Sequence, residues 1–96
     1  MVKVDTSKRG KRTVGFYCHA DAESAIYVAG SFNDWDPRFT PMKYNDEIKS
    51  FSCEVKLAPG TYEYKFVING SWVLDADNDN VSANDFGTLN SVFEVV

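Results

Sequence analysis

The sequence predicts an all-β protein, an antiparallel β-sandwich of the immunoglobulin-like class. Three observations carry this. Apolar and polar residues alternate at a period of two along most of the chain, and no stretch repeats with helical spacing. Strand-like runs and turn residues follow each other at intervals of about ten residues, as in sandwiches built from short strands. The dipeptide Asn69-Gly70 separates two alternating runs, where a type I′ hairpin turn needs positive φ at both central positions. The Cys…Trp…Cys spacing of antibody domains is absent.

Residues 1–12 read as a flexible N-terminal arm, with the basic run from Lys8 to Arg12 as a solvated segment. The sandwich is expected over 13–96. "TVGFYCH" puts Val14, Phe16 and Cys18 on one face, and "AIYVAG" offers Ile26 and Val28 as an inward pair. "SFSCEVKLAPG" alternates with Phe51, Cys53, Val55 and Leu57 inward, before Ala58-Pro59-Gly60 turns the chain. "TYEYKFVING" follows, with Tyr62, Tyr64, Phe66 and Ile68 on one face and Glu63, Lys65 and Val67 on the other. "SWVLD" is the returning strand, Asp75 to Asp85 reads as a long polar loop, and "LNSVFEVV" closes the domain with a last strand.

Composition limits the function. At 96 residues the chain is one domain with a modest core, too small for a deep interdomain cleft. Its 44% hydrophobic and 15% aromatic content is that of a folded globule. A formal charge of -4 argues against a nucleic-acid partner, which calls for a basic domain. No apolar stretch approaches the roughly 20 residues of a membrane-spanning helix, and no secretory signal is visible. Cys18 and Cys53 fall at inward positions and are expected as free thiols, which fits a reducing cytoplasm.

Two tryptophans fit the core poorly. Trp35 lies in "GSFNDWDPRFTPM", a turn of Asn, Asp and Pro that should face water, and Trp72 directly follows the hairpin turn. Pairing across Asn69-Gly70 sets Val67 opposite Trp72, so Lys65 becomes the diagonal, same-face neighbour of Trp72. Flat aromatic platforms beside a long donor and amides suit a sugar. The axial C–H face of a pyranose stacks on indole, and its hydroxyls require donors and acceptors such as Lys, Asn and Thr.

In order and spacing, "IYVAGSFNDWDP", "GTYEYKFVINGSW" and "FGTLNSVFEV" resemble carbohydrate-binding module family 48. That family includes the glycogen-binding domain of the AMP-activated protein kinase beta subunit and the N-terminal early-set domains of isoamylases and branching enzymes. The likeness runs from about Val14 to Val96 and rests on the combination G-S-F-N-x-W, Y-K-F, N-G-x-W and G-T-x-N. It implies a non-catalytic module for glycogen, starch or maltooligosaccharides, that is, an α-1,4-glucan. By motif, the glucan-binding residues fall on Trp35, Lys65, Trp72, Phe86, Thr88 and Asn90, while Gly30, Phe32 and Asn33 shape the first turn. Phe86 replaces the leucine common in the kinase subunits, and the loop after Trp72 lacks the usual D-P dipeptide. A glycan-active enzyme or a kinase is the protein partner the resemblance implies. No cofactor is expected.

Three other readings compete. An enzyme would need paired carboxylates about 5–5.5 or 6.5–9.5 Å apart in a sheltered cleft, and the aspartates at 34, 36, 75, 77 and 79 belong to shallow turns. The single His19 has no evident nucleophile. "DADNDNVSANDF" opens like a calcium-binding EF-hand loop, but Asn80 stands where glycine is needed and Phe86 where the bidentate glutamate belongs, so a solvated acidic loop and no metal are expected. The remaining alternative is an early-set domain that packs against a protein partner and has lost sugar binding. Retention of both tryptophans, the lysine and Thr-x-Asn together favours the glucan, since packing would not require them all.

Overall fold

The structure is a computed structural model that describes residues 1–5 and 10–96. Its elements are the strands β1 (Val2–Asp5), β2 (Arg12–Cys18), β3 (Ile26–Gly30), β4 (Lys43–Asn45), β5 (Ser50–Leu57), β6 (Gly60–Ile68), β7 (Ser71–Val73), β8 (Val81–Ala83) and β9 (Leu89–Val95). They form two antiparallel sheets. One runs β1-β2-β5-β4, the other β3-β6-β9-β8, with β7 paired to β6. The all-β sandwich expected from the period-two pattern is the architecture found.

The core lies between the sheets where alternation placed it. Val14, Phe16 and Cys18 from β2, Ile26 and Val28 from β3, Phe51 from β5 and Tyr64 and Phe66 from β6 are buried there, with Phe93 and Val95 from β9. Cys53, Val55 and Leu57 are only partly buried and pack against this cluster. Aromatic rings dominate its centre. Phe16 meets Tyr64 edge-on at 5.1 Å and Phe93 at 5.6 Å, geometry in which a positive ring edge faces a negative ring face. Both cysteines are free.

Three short strands differ from the sequence reading. Val2–Asp5, expected within a flexible arm, pairs along β2 with Val4 opposite Val14. The motif "VKVD" carries only two apolar residues, too few for periodicity to reveal, and pairing with a ready-made neighbour supplies the rest. The arm's residues 6–9, with Lys8 and Arg9 of the basic run, lie outside the described residues. Arg12 is in β2, and its Nε donates to the Val96 carbonyl at 3.1 Å. β4 is an edge strand joined to β5. Val81–Ala83, expected inside a polar loop, is β8 and pairs with the first half of β9.

The same loop contains a second surprise. Asp75 is buried at 4% exposure rather than solvated. Its Oδ2 accepts from the Tyr64 hydroxyl at 2.6 Å and lies 2.6 Å from the Met1 terminal amine, while its N–H donates to Ser91 Oγ at 3.1 Å. A buried carboxylate is tolerable only when its oxygens are occupied in this way. Burial, then the hydrogen bond to Asp75, raises the Tyr64 hydroxyl pKa well above its usual value.

Candidate functional site

One edge of β6 is shared by two strands, and the site opens where they part. β9 pairs with Gly60 to Tyr64, and β7 pairs with Phe66 to Ile68. Lys65 sits at the junction, with its side chain on the face away from the core. The hairpin has the expected register: Ile68 lies opposite Ser71 and Val67 opposite Trp72. Asn69 has φ 49° and Gly70 φ 86°, as a turn with two left-handed central residues demands. The Asn69 side chain ties the turn to β3 by accepting from the Ala25 N–H at 2.9 Å.

The turn carrying Trp35 is built from inside out. Phe32 points inward and stacks on Phe16 at 5.5 Å. Asn33 locks the loop: its Oδ1 accepts from the Gly30 N–H at 2.9 Å, and its Nδ2 donates to the Val28 carbonyl at 3.0 Å and Thr40 Oγ1 at 2.9 Å. Gly30 is required by crowding. A Cβ there would lie 2.5 Å from the Glu63 carbonyl oxygen and 2.6 Å from the Phe32 ring. Trp35, expected at the surface, is partly buried, whereas Trp72 is 46% and Phe86 91% exposed.

Trp35, Lys65, Trp72, Phe86, Thr88 and Asn90 all line one groove of about 680 Å³. A chain of hydrogen bonds joins its polar members. Lys65 Nζ donates to Thr88 Oγ1 at 3.2 Å, and Asn90 Nδ2 donates to Glu63 Oε1 at 3.1 Å. Between them stands Asn84, which the sequence reading missed. Its Nδ2 donates to Thr88 Oγ1 at 2.7 Å and to Asn90 Oδ1 at 3.0 Å. Its Oδ1 accepts from the Phe86 N–H at 3.0 Å and the Thr88 N–H at 3.1 Å. All four hydrogen-bonding positions of that amide are therefore filled. Glu63 also lines the groove and was read only as an outward residue of β6. "NDFGT" gives a weak local hint for Asn84, since Asn side chains often bond the backbone two residues on.

Aromatic rings together with amide, hydroxyl, carboxylate and ammonium groups lining one groove can hold a ligand with alternating apolar faces and hydroxyl rims. The fold and the groove together define a β-sandwich of the carbohydrate-recognition kind. Residues 17–96 match the sequence pattern of the family described as the glycogen recognition site of AMP-activated protein kinase, and the chain belongs to that family.

The chain is similar to the human 5'-AMP-activated protein kinase subunit beta-2, with 30% identity over 70 residues that make up 73% of this chain and 24% of the subunit. A phosphoglucan phosphatase of Castanea sativa, described as amyloplastic, is 28% identical over 72 residues, 75% of this chain and 19% of the enzyme. The chain thus spans only about a quarter or less of these relatives' length. The maltogenic amylase of S. marinus, whose crystal structure is solved, shares the fold: all of this chain superposes on 16% of it with a TM-score of 0.82 at 21% identity.

Proposed function

We propose that this domain binds α-1,4-glucan, such as glycogen, starch or maltooligosaccharides, without catalysing its cleavage. Glucose rings stack on Trp35 and Trp72, with Phe86 as a third apolar contact, and Lys65, Thr88 and Asn90 bond the hydroxyls. The observation that carries this reading is the convergence of these six side chains, from three separate parts of the chain, on one groove. Each stacking contact contributes on the order of 0.5–1.5 kcal/mol beyond the area buried. A few such contacts give affinities around micromolar to millimolar, suited to a polymer that offers many sites. In the cell the domain would bring an attached or associated glycan-active enzyme or kinase to cytoplasmic glucan.

Trp35→Ala and Trp72→Ala should each weaken binding of maltoheptaose by about 1–3 kcal/mol while the fold persists. Titration calorimetry beside a thermal melt measures both. Maltoheptaose should bind better than maltotriose, because only a longer chain reaches both indoles. Unchanged affinity in both variants would overturn the stacking role of the indoles, and a wild type that fails to bind maltoheptaose would favour a protein-docking domain instead.

A further inference from the structure

We propose that Glu63 is a specificity-determining residue of the groove: its carboxylate accepts hydroxyl hydrogens from glucose and makes the site discriminate against glucan that carries phosphate esters. The inference rests on the glucan-binding reading and adds a ligand preference to it.

Thr88 Oγ1 accepts from both Lys65 and Asn84, so both of its lone pairs are used and its hydroxyl hydrogen is left to donate to a ligand. Asn90 Oδ1 accepts from Asn84, and Asn90 Nδ2 spends one hydrogen on Glu63, so one N–H and one lone pair remain to it. Lys65 has no acceptor at all. Ser31, which also lines the groove, is tied to the backbone of Glu63: its Oγ accepts from the Glu63 N–H at 3.1 Å. The groove floor therefore presents donors. Sugar hydroxyls both donate and accept, and their hydrogens need an acceptor. Glu63 Oε1 is bonded to Asn90, and its carboxylate, tied into this network, joins the Asp85 carboxylate and one Asn90 Oδ1 lone pair as acceptors of the described lining.

The same carboxylate sets the sign of the field. Glu63 and Asp85 place two carboxylates on the groove beside the ammonium of Lys65. Within a chain of net charge -4, no other cation among the described residues of the lining offsets them. A phosphate monoester carries about -1.5 to -2 at pH 7, so it is repelled at a site that a neutral chain enters freely.

The test compares maltoheptaose with maltoheptaose bearing one phosphate monoester, titrated by calorimetry against the wild type and Glu63→Gln at low and at physiological salt. The wild type should prefer the neutral ligand on the order of tenfold at low salt, and the ratio should shrink as salt is added. Glu63→Gln keeps an oxygen for Asn90, so its melt should match the wild type. It should narrow the ratio several-fold through tighter binding of the phosphorylated ligand, and weaken neutral binding about two- to threefold, since an amide oxygen accepts less strongly than a carboxylate. Equal affinity of the wild type for the two ligands overturns the proposal and leaves glucan binding standing. A ratio unchanged in Glu63→Gln but narrowed in Asp85→Asn overturns the assignment to Glu63. Failure of the wild type to bind maltoheptaose at all overturns the underlying function and this inference with it.

Discussion

Replacing Asn84 by alanine should weaken both binding and folding, through a side chain that orders the loop from Phe86 to Asn90. The side chain makes four hydrogen bonds, at 2.7, 3.0, 3.0 and 3.1 Å, and touches each part of the segment from Phe86 to Asn90. A typical bond contributes about 0.5–1.5 kcal/mol net, and water replaces the partners wherever the loop is exposed. Three of the four lie at exposed residues, and only the one to Asn90 reaches a buried side chain. The global loss should therefore be at or below the bottom of the summed range, about 1–2 kcal/mol, or roughly 4–16 °C in melting temperature for a domain of this size. Binding should suffer more in proportion. The backbone bonds from Asn84 N–H to the Thr88 carbonyl and from Gly87 N–H to the Asn84 carbonyl remain, but they do not hold Phe86 or the Thr88 hydroxyl in place. The ligand must then order a loop that the wild type holds ready, at about 1–2 kcal/mol for each residue fixed. A loss of maltoheptaose affinity of about 5- to 30-fold follows if one residue is freed. Calorimetry and a thermal melt on the same sample decide the matter. Full affinity in a folded Asn84→Ala variant would refute the reasoning, because the loop's shape would then reside in its backbone alone.

Two further perturbations act elsewhere. Tyr64→Phe removes the hydroxyl that donates to Asp75 at 2.6 Å and accepts from Asn78 Nδ2 at 3.1 Å, leaving a buried carboxylate short of a partner. It should cost about 2–3 kcal/mol in urea denaturation while maltoheptaose affinity stays within about twofold, since Tyr64 faces the core. Burial, followed by the neighbouring Glu54 charge, pushes the Cys53 thiol up from about 9 to about 12. Between those values the unfolded chain releases a proton that the folded one keeps, so stability is unaffected below about pH 9 and falls as pH rises above it. Cys53→Ser should therefore lose about 1 kcal/mol less than the wild type between pH 8 and pH 10, and parallel curves would show that the thiol ionises as readily in the folded state.

Much of this arrangement can be read from the residues, and the exceptions have physical causes. β2, β5 and β6 are seven to nine residues long, so each repeats its inward apolar positions often enough for a period to show. β1, β4 and β8 have three or four residues and exist through the strand they pair with. Trp35, Trp72 and Lys65 could be singled out because an indole in a polar turn and a hairpin register are local facts. The burial of Asp75 could not, since it depends on Tyr64, 11 positions away on β6. Glu63 and Asn84 escaped for the same reason. An acid in an alternating strand and an asparagine in a polar loop look solvated until Asn90 is brought 27 positions back to meet the first and six positions back to meet the second.

The backbone around Trp35 adds an argument that side chains alone do not make. Asp34 and Trp35 both adopt left-handed conformations, with φ of 57° and 58°. Aspartate tolerates that region, but a tryptophan there costs on the order of 1–3 kcal/mol, which the rest of the turn must offset. The offset is visible. The Trp35 N–H donates to the Gly30 carbonyl at 2.9 Å, the three Asn33 bonds brace the same loop, and Phe32 anchors it in the aromatic core. A turn that served only to connect β3 to β4 could relax to ordinary φ by exchanging the tryptophan for glycine or asparagine. Keeping an indole in a strained position at the wall of the groove makes sense if its ring is needed there. The strain at Trp35 thus supports a ligand on that wall independently of the sequence motif.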